Sequence, residues 1–208
     1  MALAKRREKP YHHGDLRSAL IDGAVGLIAE RGERHFSLAQ LSRSLGVSAA
    51  APYRHFADRD ELLAAVAVRA LQSFAEAITA GSSGSDPPEE RLAAMAAAYV
   101  RFAAAQPALF GLVFGLGSEE KERHPELRRA YEAVDARLEA GVAELCGDDP
   151  GAAEALAGAI EATAHGYAAL LTDGPDAPAP AGIDRAASQA AKAVRALIQG
   201  RTALGASR

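Results

Sequence analysis

What limits this chain most is its punctuation. From residue 15 onward, glycines, prolines and capping side chains cut the sequence into segments, each carrying one apolar stripe at the three- and four-residue spacing of an α-helix. Residues 15–31 place Leu16, Leu20, Ala24, Leu27 and Ile28 on one face, and Gly32 follows as a stop. Ser37 opens a short helix to about Leu45, with Gln40 at the capping-box position and Phe36 and Leu41 placed as a hydrophobic staple. After Gly46, Ser48 caps a third short helix expected to reach about Phe56. Pro52, four residues after Ser48, forfeits an intrahelical hydrogen bond, so the expectation is a loosened first turn rather than a broken helix. Asp58, with Glu61 in the box position, caps a long fourth helix to about Thr79, striped by Leu63, Val66, Ala70, Phe74 and Ile78.

Gly81 to Pro88 is a linker by composition. Beyond it, helices are expected at 89–105, 107–115, 125–146, 150–173 and 183–200, the last two separated by the Pro- and Ala-rich run from Gly174 to Gly182. Leu127, Tyr131, Val134, Leu138 and Leu145 stripe one of them, and Leu156, Ile160, Thr163, Tyr167 and Leu171 another. About a quarter of the residues are Ala, the best helix former, and few windows alternate as strands do. The expected fold class is all-α, with about nine helices.

Charge is distributed unevenly. Residues 1–60 hold ten Lys and Arg against seven Asp and Glu, whereas the remainder holds thirteen against twenty, for a whole-chain charge of −4. A basic front on an acidic body suits a molecule of which one end meets a polyanion. The single cysteine, Cys146, leaves no internal disulfide and no cysteine-rich zinc module, as expected for a reducing cytosol. Uncharged apolar stretches such as Leu92 to Val100 fall short of the ~20 residues a membrane span needs. The first residues lack the apolar core of a secretory signal. The expected setting is the cytoplasm, without a membrane partner.

The helices at 38–45 and 48–56, joined through Gly46-Val47, have the dimensions of a helix-turn-helix, in which the first helix braces a second that enters the major groove. In Ser48-Ala49-Ala50-Ala51-Pro52-Tyr53-Arg54-His55-Phe56, the alanines permit close approach and contact with thymine methyls. Arg54 suits a bidentate pair with guanine. Tyr53 and His55 can donate to phosphate oxygens, and Arg59 at the start of the fourth helix adds an anion-favouring site. Such a pair of helices also occurs as a plain structural corner, so spacing alone leaves both readings open. The same holds for the arm Lys5-Arg6-Arg7-Glu8-Lys9, which suits a minor groove or phosphates but equally a solubilising tail.

The residues themselves carry a resemblance. His12-His13-Gly14-Asp15-Leu16-Arg17, Phe36-Ser37-Leu38-Ala39-Gln40-Leu41, Leu45-Gly46-Val47-Ser48 and Tyr53-Arg54-His55-Phe56-Ala57-Asp58-Arg59-Asp60-Glu61-Leu62-Leu63 resemble, in order and spacing over about residues 11–75, the N-terminal domain of the tetracycline-repressor (TetR) family. The resemblance implies an N-terminal arm and helix-turn-helix domain over 1–57 and a helical ligand-binding and dimerisation domain over 58–208, with the helix 58–79 connecting them. By position it assigns Ala49, Ala51, Tyr53 and Arg54 to bases, and Ser37, His55 and Arg59 to phosphates, with Ser48 opening the reading helix. Phe56 is expected to plug the small domain's core. The implied function is a ligand-responsive transcriptional regulator, usually a repressor that binds a pseudo-palindromic operator as a homodimer and is released by a small molecule; activation is the alternative. Gln106-Pro107-Ala108-Leu109-Phe110-Gly111-Leu112-Val113-Phe114 and Ala164-His165-Gly166-Tyr167 further resemble a subfamily named for a Trp-His-Gly signature, although this chain has no Trp.

Within the larger domain, Tyr99, Phe102, Phe110, Phe114, Tyr131, His165 and Tyr167 are the candidates to line a ligand pocket, with core packing as the competing role of each. Small faces at Ala152, Ala153, Ala157 and Gly158, and at Ala187, Ala190, Ala191 and Val194, suggest that helices 150–173 and 183–200 form the dimer contact. Two other function classes compete with this one. A helical enzyme lacks support: the chain has no glycine-rich phosphate loop with its lysine, no His-Glu-x-x-His zinc helix and no Gly-x-Ser-x-Gly elbow. Adjacent His12 and His13 point apart on a helix, and no cofactor or metal is expected. A protein-docking module differs from a DNA binder by showing no steep loss of binding with salt.

Overall fold

The computed structural model describes residues 16–81, 84, 86–172 and 178–204. The basic arm, the His12-His13 pair and part of both expected linkers lie outside these residues. In order, the elements are α1 (Leu16–Arg31), α2 (Leu38–Leu45), α3 (Arg59–Ala80), α4 (Pro88–Ala105), α5 (Pro107–Gly115), α6 (Ser118–Arg123), α7 (Pro125–Cys146), α8 (Pro150–Thr172), α9 (Pro180–Gln199) and α10 (Arg201–Leu204), with 3-10 turns at Glu33–His35 and Pro52–Arg54. Every regular element among the described residues is helical.

The helix starts follow from proline. Five of the seven helices after α3 begin on one, and the first residue of a helix needs no N–H while its φ is already set. Pro88 and Pro180 therefore open α4 and α9 slightly ahead of the expected positions, because composition alone assigns both to linkers. The short α6 and α10 are additions to the expected set; neither is long enough to show an apolar period.

Two apolar cores divide the molecule. The first gathers Leu20, Ile28, Leu41, Phe56, Leu62 and Val66 with Leu109, Leu112 and Leu127. The second gathers Phe74, Ile78, Leu92, Tyr99, Val100, Leu156, Ile160 and Val194. α3 runs through both, giving Leu62 to Leu71 to the first and Phe74 to Ile78 to the second. Phe114 and Val134, each partly buried, pack against both. Among the described residues α3 is by itself long and apolar enough to cross a membrane, even though Arg69 and Glu76 interrupt it, and 56% of that stretch is buried inside the fold. This is the pattern of a helix whose apolar surface is covered by its neighbours.

Two expectations need correction. The stretch 48–56 is not an α-helix: Ala51, Arg54 and His55 donate to carbonyls three residues back, and only Phe56 to Pro52 closes a four-residue step, at 3.0 Å. Pro52 has no amide hydrogen for the Ser48 carbonyl, so the α-helical ladder is not started and the segment stays in turn and 3-10 geometry. On α9, Ala187, Ala190, Ala191 and Val194 are buried within the protomer, where α9 packs on α4. That face is therefore not the one offered to a second copy.

Candidate nucleic-acid interface and ligand pocket

The small domain is held in shape by local hydrogen bonds. Ser37 Oγ caps α2, accepting from the Gln40 N–H at 3.3 Å. The same hydroxyl lies 3.1 Å from Gln40 Oε1 and donates to it, so the glutamine binds the capping hydroxyl instead of returning to the Ser37 amide. Phe36 and Leu41 are both buried in the first core, as the staple requires. α2 ends at Gly46, whose φ of 67° lies in the left-handed region. The Val47 N–H donates to the Ser42 carbonyl at 3.0 Å and the Gly46 N–H to Arg43 at 3.3 Å, which turns the chain sharply into the reading segment. At the start of α3, Asp58 accepts from the Glu61 N–H at 2.8 Å, while the Glu61 carboxylate accepts from Ala57 at 2.5 Å.

This frame sorts the candidate residues. Ser48, Ala49, Ala50, Tyr53 and Arg54 are exposed, Tyr53 at 58%, and His55 is half-buried beside them. Phe56 is 1% exposed in the core, with the Arg17 guanidinium 5.2 Å from its ring centroid. Ala51 is the exception on the reading segment: at 8% exposure its methyl faces the domain interior and offers little surface to a base. Arg59 is tied down. It donates to the Glu33 carbonyl at 2.9 Å and pairs with Glu33 Oε1 at 3.2 Å, with its guanidinium 5.9 Å from the Phe36 ring. In this conformation it braces the start of α3 against the turn after α1.

The second site is a cavity of about 320 Å³ between α3, α4, α7 and α8. Phe74, Met95, Tyr99, Phe114, Tyr131 and Ile160 supply its apolar wall. Its polar lining is charged: Asp135, Glu132 and Glu161 face it, with Lys121 and Arg128. Both phenol hydroxyls are already engaged, Tyr99 with His165 Nδ1 at 2.9 Å and Tyr131 as a donor to the Val113 carbonyl. Burial, and then the nearby Asp135 carboxylate, push the Tyr131 phenol up to about 12. Tyr99 is raised further, by burial first and then by Glu161. Asp135 is itself raised above its ordinary value, by desolvation and by Glu161, Glu139 and Glu132, against the opposing effect of Lys121. All three shifts report a negative potential in a partly dry space.

Comparison with known proteins places this arrangement. Residues 20–66 match the family described as bacterial regulatory proteins, tetR family, and residues 92–201 match the tetracyclin repressor-like C-terminal domain. The chain belongs to the TetR family. As a TetR-family chain, it is 31% identical over 119 residues to the HTH-type transcriptional regulator BetI of Brucella anthropi, covering 55% of this chain and 60% of that protein. The match to BetI of Brucella suis covers 44% of that protein, so the chain spans about half the length of these curated relatives. Among solved structures, a protein of unknown function from Rhodococcus sp. RHA1 superposes with a TM-score of 0.73 at 33% identity, over 91% of this chain and 98% of that one. The TetR-family transcriptional regulator PfmR from Thermus thermophilus follows with a TM-score of 0.54 at 25% identity, over 86% and 96%.

Of the aromatic residues singled out from the TetR-family sequence, Tyr99, Phe114 and Tyr131 line the cavity. Phe102 and Phe110 are buried in the second core, at 6% exposure each. His165 stands behind the wall, hydrogen-bonded to Tyr99 and stacked on Phe110 at 5.5 Å between ring centroids. Tyr167 packs against the second core and is not one of the cavity's lining residues. Sequence reasoning missed Asp135 and Glu161. The available signal was faint: Asp135 lies one turn beyond Tyr131, and Glu161 follows Ile160.

Proposed function

We propose that this protein is a DNA-binding transcriptional regulator controlled by a small molecule, most often acting as a repressor, that works in the cytoplasm as a homodimer on a pseudo-palindromic operator. The observation carrying the reading is the path of α3: one end caps the reading segment, its middle fills the first core, and its far end forms a wall of the cavity. A ligand that wedges Phe74 and Tyr99 apart changes the tilt of α3, and with it the placement of Ser48 to His55. It does so only by binding more tightly to the arrangement that fits DNA poorly. Tyr53 and His55 are assigned to phosphates, Arg54 to a base edge, and Ala49 to close approach. Under this proposal the domain boundary falls at about residue 58, with α3 shared by both sides.

The dimer face is assigned to the outer side of α8 with the open side of α9. Leu170 is 84% exposed, and Ala155, Ala159, Ala162, Thr163 and Gly166 continue its stripe with small side chains. The proposal requires two copies joined there to carry their reading segments roughly 34 Å apart, one turn of duplex. The test is to select bound sequences from random duplex DNA, then screen compounds for release of the selected site. Recovery of an inverted repeat supports the proposal; recovery of no consensus contradicts it.

A further inference from the structure

The charges around the cavity are not balanced in the same way on both sides. Each lining cation has a partner: Arg128 pairs with Glu132 at 3.6 Å, and the Lys121 ammonium sits 3.9 Å from the centroid of the Tyr131 ring. The carboxylates of Asp135 and Glu161 line the same space from its exposed rim; neither is in a hydrogen bond or ion pair among the described residues, and Lys121 offsets Asp135 only through space. The neutral hydroxyls that could direct a polar ligand, on Tyr99 and Tyr131, are both committed within the protein. What remains for a ligand is aromatic and thioether surface from Phe74, Phe114, Tyr131 and Met95, with negative charge only partly offset at its edge.

We infer that the cavity selects a small organic monocation with an apolar body, whose charge lies between the Tyr131 ring and the Asp135 and Glu161 carboxylates, at the place Lys121 now holds. This rests on the reading of the cavity as the effector site and names the ligand class for it. Aromatic rings attract cations through the negative potential of their faces, and the attraction grows where water is excluded. At about 320 Å³ the space lies near the lower end of ligand pockets, so the ligand is compact. Lys121 belongs to α6, which leads from α5 into α7, and α5 gives Leu109, Leu112 and Val113 to the first core. A ligand that displaces Lys121 therefore acts on a segment joined to the reading domain.

The test uses three probes of similar shape on the purified full chain: (4-hydroxyphenyl)trimethylammonium, its neutral isostere 4-tert-butylphenol, and the anion 4-tert-butylbenzoate, with affinities measured by calorimetry. The cation is expected to bind about tenfold tighter than the neutral isostere, with the anion weakest. Asp135→Asn with Glu161→Gln should remove that preference and leave the affinity for 4-tert-butylphenol unchanged; both carboxylates are exposed enough for the variants to fold. Lys121→Met should raise cation affinity about threefold by vacating the ring. Equal binding of cation and isostere, tighter binding of the anion, weaker cation binding by Lys121→Met, or no binding of the cation at millimolar concentration overturns the inference. Operator release is measured separately. A cation that binds with the expected preference but leaves DNA affinity unchanged supports the ligand class, while removing the cavity from the regulatory reading.

Discussion

At the scale of single residues, one missing hydrogen shapes the surface proposed to meet DNA. Pro52 withholds an amide from Ser48, and the following residues settle into three-residue steps that turn Ala51 inward and leave Tyr53 and Arg54 out. If Tyr53 and His55 hold phosphates, Tyr53→Phe with His55→Ala should weaken operator binding roughly tenfold and flatten the dependence of log affinity on log salt by about one to two. Fluorescence anisotropy across a salt series measures both. Equal loss on every sequence is expected, because these contacts carry no base information. Tyr131 allows a test within the fold. Its phenol is raised from 10.0 to about 12, so between these values the folded chain binds more protons than the unfolded one. The stabilisation tied to this proton is complete below about pH 10 and is lost as pH rises toward 12; Tyr99 acts in the same direction. Denaturant midpoints at about pH 9 and about pH 11 should therefore fall less in Tyr131→Phe than in the wild type.

At the scale of elements, helices were legible in the sequence where their ends are local chemistry. Ser37, Gly46, Asp58, Pro107, Pro125 and Pro150 all act within a residue or two of where they stand, and each marks an observed end. The stripe of α3 was equally plain, since Leu63, Val66, Ala70, Phe74 and Ile78 are all buried. What the sequence could not convey is which side of a helix meets which neighbour. Phe102 and Phe110 look like Tyr99 and Phe114 in sequence, yet only the second pair faces the cavity. Asp135 and Glu161 resemble any solvated helical carboxylate until α3 and α4 are placed opposite them. Phe114 shows what such placement does: it touches Phe74, Tyr99, Phe110 and His165 and also packs on the first core. Phe114→Leu keeps most of the apolar volume but loses these ring contacts. Operator affinity should be nearly unchanged, while the ratio of affinities with and without saturating effector shrinks several-fold. An unaltered ratio would show that signal passes elsewhere.

At the scale of the whole molecule, α3 gives residues to both cores, and α5 and α7 do so as well; the proposed regulation requires ligand binding to change how the two cores sit on this shared frame. Ion pairs tie the first half of α3 to the elements before it, Arg69 to Asp22 of α1 at 2.8 Å and Arg59 to Glu33 in the turn after α1. Being exposed, each contributes about 1 kcal/mol at most, so they hold α3 only weakly in its place. The small faces read from the sequence were assigned by composition alone, and α9 uses its own against α4. Under the proposed dimer, the outer face of α8, where Leu170 is exposed, meets the partner copy. Leu170→Lys should shift the chain from dimer to monomer in sedimentation equilibrium and lower operator affinity at least about tenfold, with helix content unchanged by circular dichroism. Most direct of all is the stoichiometry and salt response of the chain on its selected operator. Two protomers per inverted repeat, with affinity falling steeply as salt rises and far weaker binding to a scrambled duplex, is the predicted result; one protomer per site, or affinity indifferent to sequence and salt, would contradict the account.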